Sequence, residues 1–355
     1  MKGRFRGMVM ACVLAMVLLA GGVVSAQPTL HILNWQGYGS DEPWAVEIFE
    51  QRYGVRVIHD YFSNEEEMLT KLRTSPGVYD LVLPNNVYAP IAIREGLLEP
   101  IDTSLIPNFQ DVDPTLQRVP EFMDGDQLYA VAWTWGATSF AYNTERVTGP
   151  IDSIQALWDP QFAGRVGWWD DSLTSVQLAA LATGQDPNNP QNLNLIREKL
   201  LALRDQVQVL WTSEDEWNRF MAANAFDIGV YWSGSVARSQ KFFGLPVEFV
   251  IPKEGAMAWL DGWAIPRNAP NRELAHKWID FMISPEFYVR WDTEVGAPAS
   301  SNLVAMQQLP EDSFNRRVLA DPDVVARLVF MKPISEEQRV RYLQLWQEVK
   351  FRFAM

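Results

Sequence analysis

The fold is decided by residues 29–84, TLHILNWQGYGSDEPWAVEIFEQRYGVRVIHDYFSNEEEMLTKLRTSPGVYDLVLP. Short apolar runs alternate here with longer segments whose apolar residues recur at helical spacing. The pattern predicts strands at 29–34, 55–58 and 79–83, and helices at 41–53 and from Asn64 to Leu72. Asn64 with Glu67 three residues later has the spacing of a helix-capping box. A β-α-β-α-β order predicts a mainly parallel sheet flanked by helices.

The same alternation returns in the second half of the chain. Strand patterns lie at 165–169, 228–232 and 247–251, and helical patterns follow Asp171 and cover Leu193 to Leu203, Trp217 to Ala223, and Leu274 to Met282. A chain of 355 residues is long for a single core, so we expect an α/β protein with two lobes.

The first 26 residues have the composition of a secretory signal. Lys2, Arg4 and Arg6 precede an uncharged apolar stretch over residues 8–24, and Val24-Ser25-Ala26 supplies small residues before Gln27. We therefore expect cleavage and export. The alternative is an uncleaved membrane anchor, because the apolar run approaches the length that spans a bilayer.

Composition excludes several classes of function. The formal charge of −14, which becomes −17 without the three cations of the signal, argues against nucleic-acid binding. Three His and one Cys do not favour a metal site, and neither a Walker loop nor a G-x-G-x-x-G motif is present. The segment Trp232-Ser233-Gly234-Ser235 lacks the G-x-S-x-G pattern of a nucleophile elbow. We expect a binding protein without cofactor, metal or catalytic residues.

Aromatic and acidic residues follow the predicted strands, where open α/β sheets bind ligands. These candidates are Trp35, Tyr38, Asn85, Asp171, Trp232, Trp259 and Asp261. Ring faces attract ammonium groups and carboxylates accept their N–H donors, so the set suits an organic cation. Each residue has a structural alternative: the Trp side chains could be core, Asp171 a helix cap, Asp261 a turn residue and Asn85 a loop former.

Six segments together resemble a known family over nearly the whole chain after residue 26. They are Asn34-Trp35-Gln36-Gly37-Tyr38, Tyr79-Asp80-Leu81-Val82-Leu83-Pro84, Trp135-Gly136-Ala137-Thr138, Trp232-Ser233-Gly234-Ser235, Pro252-Lys253-Glu254-Gly255 and Trp259-Leu260-Asp261. The family is the bacterial periplasmic spermidine/putrescine-binding proteins, the solute receptors of polyamine ABC transporters. The resemblance implies a type II periplasmic binding protein fold, with a mainly parallel sheet in each lobe and a ligand cleft between the lobes.

The resemblance also implies lobe boundaries and roles for the candidate residues. One lobe would be 27–134 plus 259–302 and the other 135–258 plus 303–355, with crossovers near 134–137 and 255–258. The rings of Trp35, Tyr38, Trp232 and Trp259 would form the walls, Asp171 and Asp261 would bind amines, and Asn85 matches a polar Ser. Gly37 and Thr174 stand where family members carry acidic residues. With two carboxylates left, we expect a diamine or smaller cation to be preferred over a longer polyamine.

The expected function is therefore a monomeric receptor that captures a polyamine by lobe closure and delivers it to an inner-membrane ABC transporter permease. Two alternatives remain open on the sequence. One is a receptor for another small amine or a sugar-like solute, since Trp faces also stack on sugar rings. The other is a secreted hydrolase that uses Asp171 and Asp261 as paired carboxylates.

Overall fold

The structure is a computed structural model that describes residues 27–311, 313–318 and 322–353. The expected signal peptide, residues 1–26, lies outside the described residues. Within the described ranges, no helix combines the length and the apolar character needed to cross a membrane.

The described residues form a mixed α/β structure. Its strands are β1 Thr29–Asn34, β2 Arg56–Tyr61, β3 Leu81–Val82, β4 Leu98–Glu99, β5 Met123–Asp124, β6 Gln127–Leu128, β7 Ala130–Asn143, β8 Val166–Trp169, β9 Val207–Trp211, β10 Ile228–Trp232, β11 Val247–Val250, β12 Ala256–Pro266, β13 Ala299–Ser300 and β14 Leu328–Phe330. Its α-helices are α1 Pro43–Tyr53, α2 Glu65–Thr74, α3 Ala89–Arg94, α4 Ser172–Ala182, α5 Leu193–Leu201, α6 Glu214–Ala222, α7 Ser233–Phe243, α8 Arg272–Met282, α9 Pro285–Arg290, α10 Leu303–Gln308, α11 Phe314–Val318, α12 Pro322–Val325 and α13 Glu336–Phe353.

The predicted β-α-β-α-β opening is confirmed. Strand β1 pairs in parallel with β2 on one side and with β3 on the other. Helix α2 begins after the predicted cap, because Asn64 Oδ1 accepts the N–H of Glu67 at 3.0 Å. The Glu67 carboxylate accepts the N–H of Ser63 at 2.9 Å, so the reciprocal bond of the box reaches one residue further back. Strand β3 is shorter than predicted.

Two long antiparallel strands join the two halves of the main sheet. Strand β12 pairs with β7 from Met257 opposite Thr138 to Ala264 opposite Ala130, with a register shift after Asp261. The main sheet has the order β2-β1-β3-β12-β7-β10-β8-β9, and β10, β8 and β9 form a second parallel group. The predicted crossover near 134–137 lies in the middle of β7, whereas that near 255–258 lies at the start of β12. The lobe boundaries stay a prediction. The structural alternative that Asp261 is a turn residue is wrong, because Asp261 pairs with Thr134 inside a continuous strand.

The C-terminal helix is anchored to the second parallel group. Helix α13 lies against α4 and α5. Its Trp346 Nε1 and Lys350 Nζ both donate to Asp170 Oδ1, each at 2.7 Å, directly after β8. Consecutive residues of β8 face opposite sides of the sheet, so Trp168 is fully buried whereas Trp169 stays partly exposed. Helix α13 therefore covers one side of the strand end that carries Asp171.

Candidate ligand-binding site

Asp261 lies near the middle of the junction between β7 and β12 and is 6% exposed. Its Oδ2 accepts a hydrogen bond from the Tyr38 hydroxyl at 2.8 Å, and the same hydroxyl lies 3.2 Å from Thr134 Oγ1. Burial raises the pKa of Asp261 to about 7, and the Tyr38 hydrogen bond only partly opposes this shift. A buried carboxylate with a neutral partner is a site for an ammonium group, which would supply the missing positive charge.

The loop after β1 positions Tyr38 for this contact. Gly37 has φ of +70°, and its N–H donates to Asp41 Oδ2 at 2.8 Å, which closes the turn. The Tyr38 ring then packs edge-on against Trp133 and Trp291, with centroid distances of 5.4 and 5.8 Å. Burial, reinforced by Asp261, raises the pKa of Tyr38 well above its ordinary value. Tyr38 therefore stays a neutral hydrogen-bond donor.

Trp259, two residues before Asp261, is 8% exposed, and its ring centroid lies 6.3 Å from that of Tyr38. Within the part of the chain that the structure describes, Trp259 Nε1 has no hydrogen-bond partner. The indole occupies space left by Gly136 on β7, where a Cβ would lie 2.6 Å from Trp259 Cζ2. Close packing on a glycine thus fixes the ring beside the carboxylate.

Asn85 links the end of β3 to Asp261 through an isolated β-bridge. Its side-chain Oδ1 accepts the N–H groups of Val87 and Tyr88 at 2.9 and 3.1 Å. The side-chain oxygen therefore shapes the loop, as the structural alternative proposed, while the backbone lies beside the candidate site.

Glu65, the first residue of α2, belongs to the same region and was not singled out from the sequence. It is 6% exposed, and its Oε1 accepts the N–H of Asn85 at 3.1 Å. Burial, followed by the charge of Asp261 and then by that of Asp171, raises the pKa of Glu65 well above its ordinary value. The position of α2 directly after β2, at the carboxyl edge of the sheet, is the signal that could have identified it.

Glu65 bears on the charge count behind the expected preference for a diamine. That preference assumed only Asp171 and Asp261, whereas Glu65 is a further carboxylate whose charge interacts with both. The neighbouring Glu66 is different, because it forms an ion pair with Arg339 of α13.

Asp171 caps helix α4. Its Oδ1 accepts the N–H of Thr174 at 2.7 Å at the start of α4. Burial raises the pKa of Asp171 even though the contacts from Thr174 oppose the shift. Its second oxygen is free of the capping bond and could bind a ligand amine. The adjacent Asp170 is instead held by Trp346 and Lys350.

The remaining two candidates lie in other ring clusters. Trp232 packs edge-on against Trp169 and Trp211, with centroid distances of 4.9 and 5.0 Å. Trp35 packs against Phe62 at 4.4 Å. Both side chains are partly exposed, so neither is sealed in the core. Direct contacts unite Tyr38 and Trp259 with Asp261, and the bridge adds Asn85, whereas the ring contacts of Trp35 and Trp232 are with these other aromatics.

Groups of three or more His, Cys, Asp or Glu side chains that could hold a metal ion do not occur in the described part of the chain.

The sequence of residues 44–313 matches the family of bacterial extracellular solute-binding proteins. The chain belongs to this family. The solute-binding protein is 31% identical over 333 residues to a spermidine/putrescine-binding periplasmic protein of Salmonella typhimurium, a match that covers 92% of each chain. It is 27% identical to a putrescine-binding periplasmic protein of Escherichia coli strain K12, with 94% of this chain and 95% of the relative covered.

A solved structure extends the likeness to three dimensions. The structure of a putative spermidine/putrescine ABC transporter protein from Listeria monocytogenes matches this solute-binding protein with a TM-score of 0.81 and 28% identity. The match covers 91% of this chain and 99% of the other. The family resemblance drawn from the sequence motifs and the two-lobe α/β periplasmic binding protein fold are both confirmed.

Proposed function

We propose that this protein is a periplasmic receptor for a polyamine such as putrescine or spermidine, and that it delivers its ligand to an inner-membrane ABC transporter. It acts by binding and lobe closure rather than by catalysis, as a monomer. The lobes are residues 27–134 with 259–302 and residues 135–258 with 303–355. The observation that carries the proposal is the buried Asp261 carboxylate, which has a neutral hydroxyl as its hydrogen-bond partner.

The chemistry around Asp261 selects an organic cation. An isolated ionised carboxylate is costly to bury, and an ammonium ligand removes that cost by forming an ion pair. The partly exposed ring of Tyr38 and the ring of Trp259 lie beside it and offer apolar faces to the methylene chain between two amines. The names of the relatives point to the same class of solute.

The proposed ligand site includes all seven sequence candidates. Asp261 and Asp171 accept N–H donors from ligand amines. Trp259, Tyr38, Trp232 and Trp35 provide the walls, and Asn85 lines the cleft next to Asp261. Asp171 has one oxygen committed to Thr174, so it is a weaker anchor than Asp261.

Isothermal titration calorimetry on the purified chain tests the proposal. Putrescine and spermidine are expected to bind with one-to-one stoichiometry, while glucose and galactose give no heat of binding. Small-angle scattering is expected to show a smaller radius of gyration once the amine is bound. Binding of a sugar without binding of amines would show that the ligand is a sugar-like solute rather than a polyamine. Turnover of a supplied glycoside would favour the hydrolase alternative.

Native mass spectrometry of freshly purified protein provides a second, independent test. A retained ligand would appear as mass added to that of the protein. After denaturation the released ligand is weighed by itself, and a polyamine is identified by its mass. A retained molecule without an amine would contradict the proposal.

A further inference from the structure

We propose that Glu65 is the third carboxylate of the ligand site and that it determines how many ammonium groups the site accepts. The inference rests on the proposed function and names a residue that sets specificity. Glu65 Oε2 is buried and has no hydrogen-bond partner among the described residues.

The two oxygens of Glu65 have separate surroundings. Oε1 accepts the N–H of Asn85 at 3.1 Å, which fixes the side chain against the loop after β3. Asn85 is in turn bridged to Asp261, so a single residue separates the Glu65 carboxylate from the strand that carries Asp261. Because most buried polar atoms are paired in proteins, the unpaired Oε2 is available to a donor from outside the chain.

The three glutamates at the start of α2 differ in what they contact. Glu67 accepts the N–H of Ser63 and pairs with Lys71 on the exposed side of the helix. Glu66 pairs with Arg339, which neutralises its charge. Glu65 forms no such ion pair with any residue that the structure describes, and its charge interacts instead with Asp261 and Asp171. A helix-capping role alone would not require Glu65 to be buried between carboxylates.

Counting charges gives the consequence for specificity. Asp261 and Asp171 can neutralise the two ammonium groups of a diamine. A triamine such as spermidine brings a third ammonium, which needs a further acceptor when it leaves water. Glu65 supplies that acceptor, so the site with Glu65 suits a triamine and the site without its charge reverts to a diamine.

The test compares putrescine with spermidine by calorimetry in the full chain and in Glu65→Gln. Glutamine keeps a carbonyl oxygen for the Asn85 N–H, so the loop stays anchored. We expect spermidine affinity to fall about tenfold or more, which is about 1.4 kcal/mol, and putrescine affinity to change by less than about threefold. Equal losses for the two amines would overturn the inference, because they would indicate a structural role. No change for either amine would also overturn it.

Two further variants separate charge from fold. Glu67→Gln removes an acidic residue from the same helical turn, and we expect it to leave the ratio of spermidine to putrescine affinity unchanged. Glu65→Asp keeps the charge and should keep the ratio closer to that of the native chain than Glu65→Gln does. A change of ratio in Glu67→Gln as large as in Glu65→Gln would count against a specific role for Glu65. If the native chain binds neither amine, the proposed function itself fails, which is a distinct result.

Discussion

The two strand-end regions of the site differ in how they are built. Around β1, β3 and β12, hydrogen bonds and a β-bridge connect Tyr38, Asn85 and Asp261, and a buried carboxylate lies at the centre. Around β8 and β10, Trp232 is held by other tryptophans, and Asp171 is partly committed to capping α4. The first region is organised for charge, and the second offers mainly ring surface.

The difference indicates that the first region contributes charge recognition and the second contributes ring contacts with the ligand. Charge recognition depends on groups held in place before the ligand arrives, because reorganising buried dipoles and carboxylates is costly. Ring faces tolerate small shifts, since stacking on methylenes is weakly directional. We therefore expect substitutions in the first region to change affinity more than equivalent substitutions in the second.

Replacing Asp261 should have the largest effect. Asp261→Asn removes a buried charge, and the expected loss in affinity for putrescine is about 2 kcal/mol or more. Calorimetry measures the loss. The matched control is Asp227→Asn, which removes a buried aspartate paired with Arg165 and Arg146 and should lower stability while leaving ligand affinity intact. Unchanged affinity in Asp261→Asn would assign Asp261 a purely structural role.

Asp171→Asn should have an intermediate effect. Asparagine is as good a helix cap as aspartate, so the thermal midpoint should stay within a few degrees. The loss of a charged acceptor should weaken the binding of putrescine by about 1.5 kcal/mol. Asp170→Asn is the neighbouring control: it weakens contacts with Lys350 and Trp346 and should affect stability rather than affinity. If instead Asp171→Asn lowered only stability and Asp170→Asn lowered affinity, Asp171 would act only as a helix cap.

Affinity should also depend on pH, through Asp261. Its pKa is about 7 in the ligand-free protein, so below that pH a proton must leave before an ammonium group can bind. We expect affinity to fall about tenfold, or about 1.4 kcal/mol, per pH unit below 7 and to level off above it. The raised pKa values of Glu65 and Asp171 steepen the acidic side. Titrations at pH 5.5, 6.5 and 8 measure this, and a flat profile would contradict it.

The same shift predicts an opposite trend for the stability of the ligand-free chain. Between about pH 4 and pH 7 the folded state holds a proton on Asp261 that the unfolded state has lost, so this contribution to the free energy of unfolding decreases as pH rises. The Asp261→Asn variant lacks this pH-dependent contribution to stability. Relative to the native chain, the variant should therefore become more stable as pH rises from 5 to 8, as measured by urea unfolding. If the difference in the free energy of unfolding between the variant and the native chain did not change with pH, the raised pKa of Asp261 would be contradicted.

The smallest expected effect is on the ring side. Trp232→Phe keeps an aromatic face but reduces its area and its attraction for cations, so putrescine affinity should fall by about 0.5 kcal/mol. Trp158→Phe is the control, because Trp158 is also partly exposed but lies beside Lys199. A loss in Trp232→Phe as large as that in Asp261→Asn would break the proposed division between the two regions.

The sequence predicted the alternation of strands and helices because hydrophobic period and cap residues are local properties. Asn64 illustrates this: its capping bond follows from residues three apart. The sequence also predicted that Tyr38 and Asn85 lie close together, because they follow the neighbouring parallel strands β1 and β3, whereas Asp261 lies inside β12 rather than at its carboxyl end. The continuous pairing of Asp261 with Thr134 was missed, because a turn and a β-bulge give similar local patterns.

Three consecutive glutamates show where local reasoning stops. Residues 65–67 all fit the first turn of a helix, yet one is buried near Asp261, one pairs with Arg339 and one caps the helix. The partner of Glu66 lies on a different helix, 273 residues further along the chain. Only the tertiary structure distinguishes the three side chains, which is why the sequence did not single out Glu65.

The pairing of β7 with β12 has a mechanical consequence. Asp261 lies at the register shift of β12, shortly after the proposed lobe boundary at 258/259, so with these boundaries it would lie close to the axis about which the lobes rotate. A point near an axis travels a short arc, while Asp171 and Trp232, at the ends of β8 and β10, travel a longer one. The first amine would thus meet a nearly stationary anchor, and the rotation itself would bring the remaining walls around the rest of the ligand.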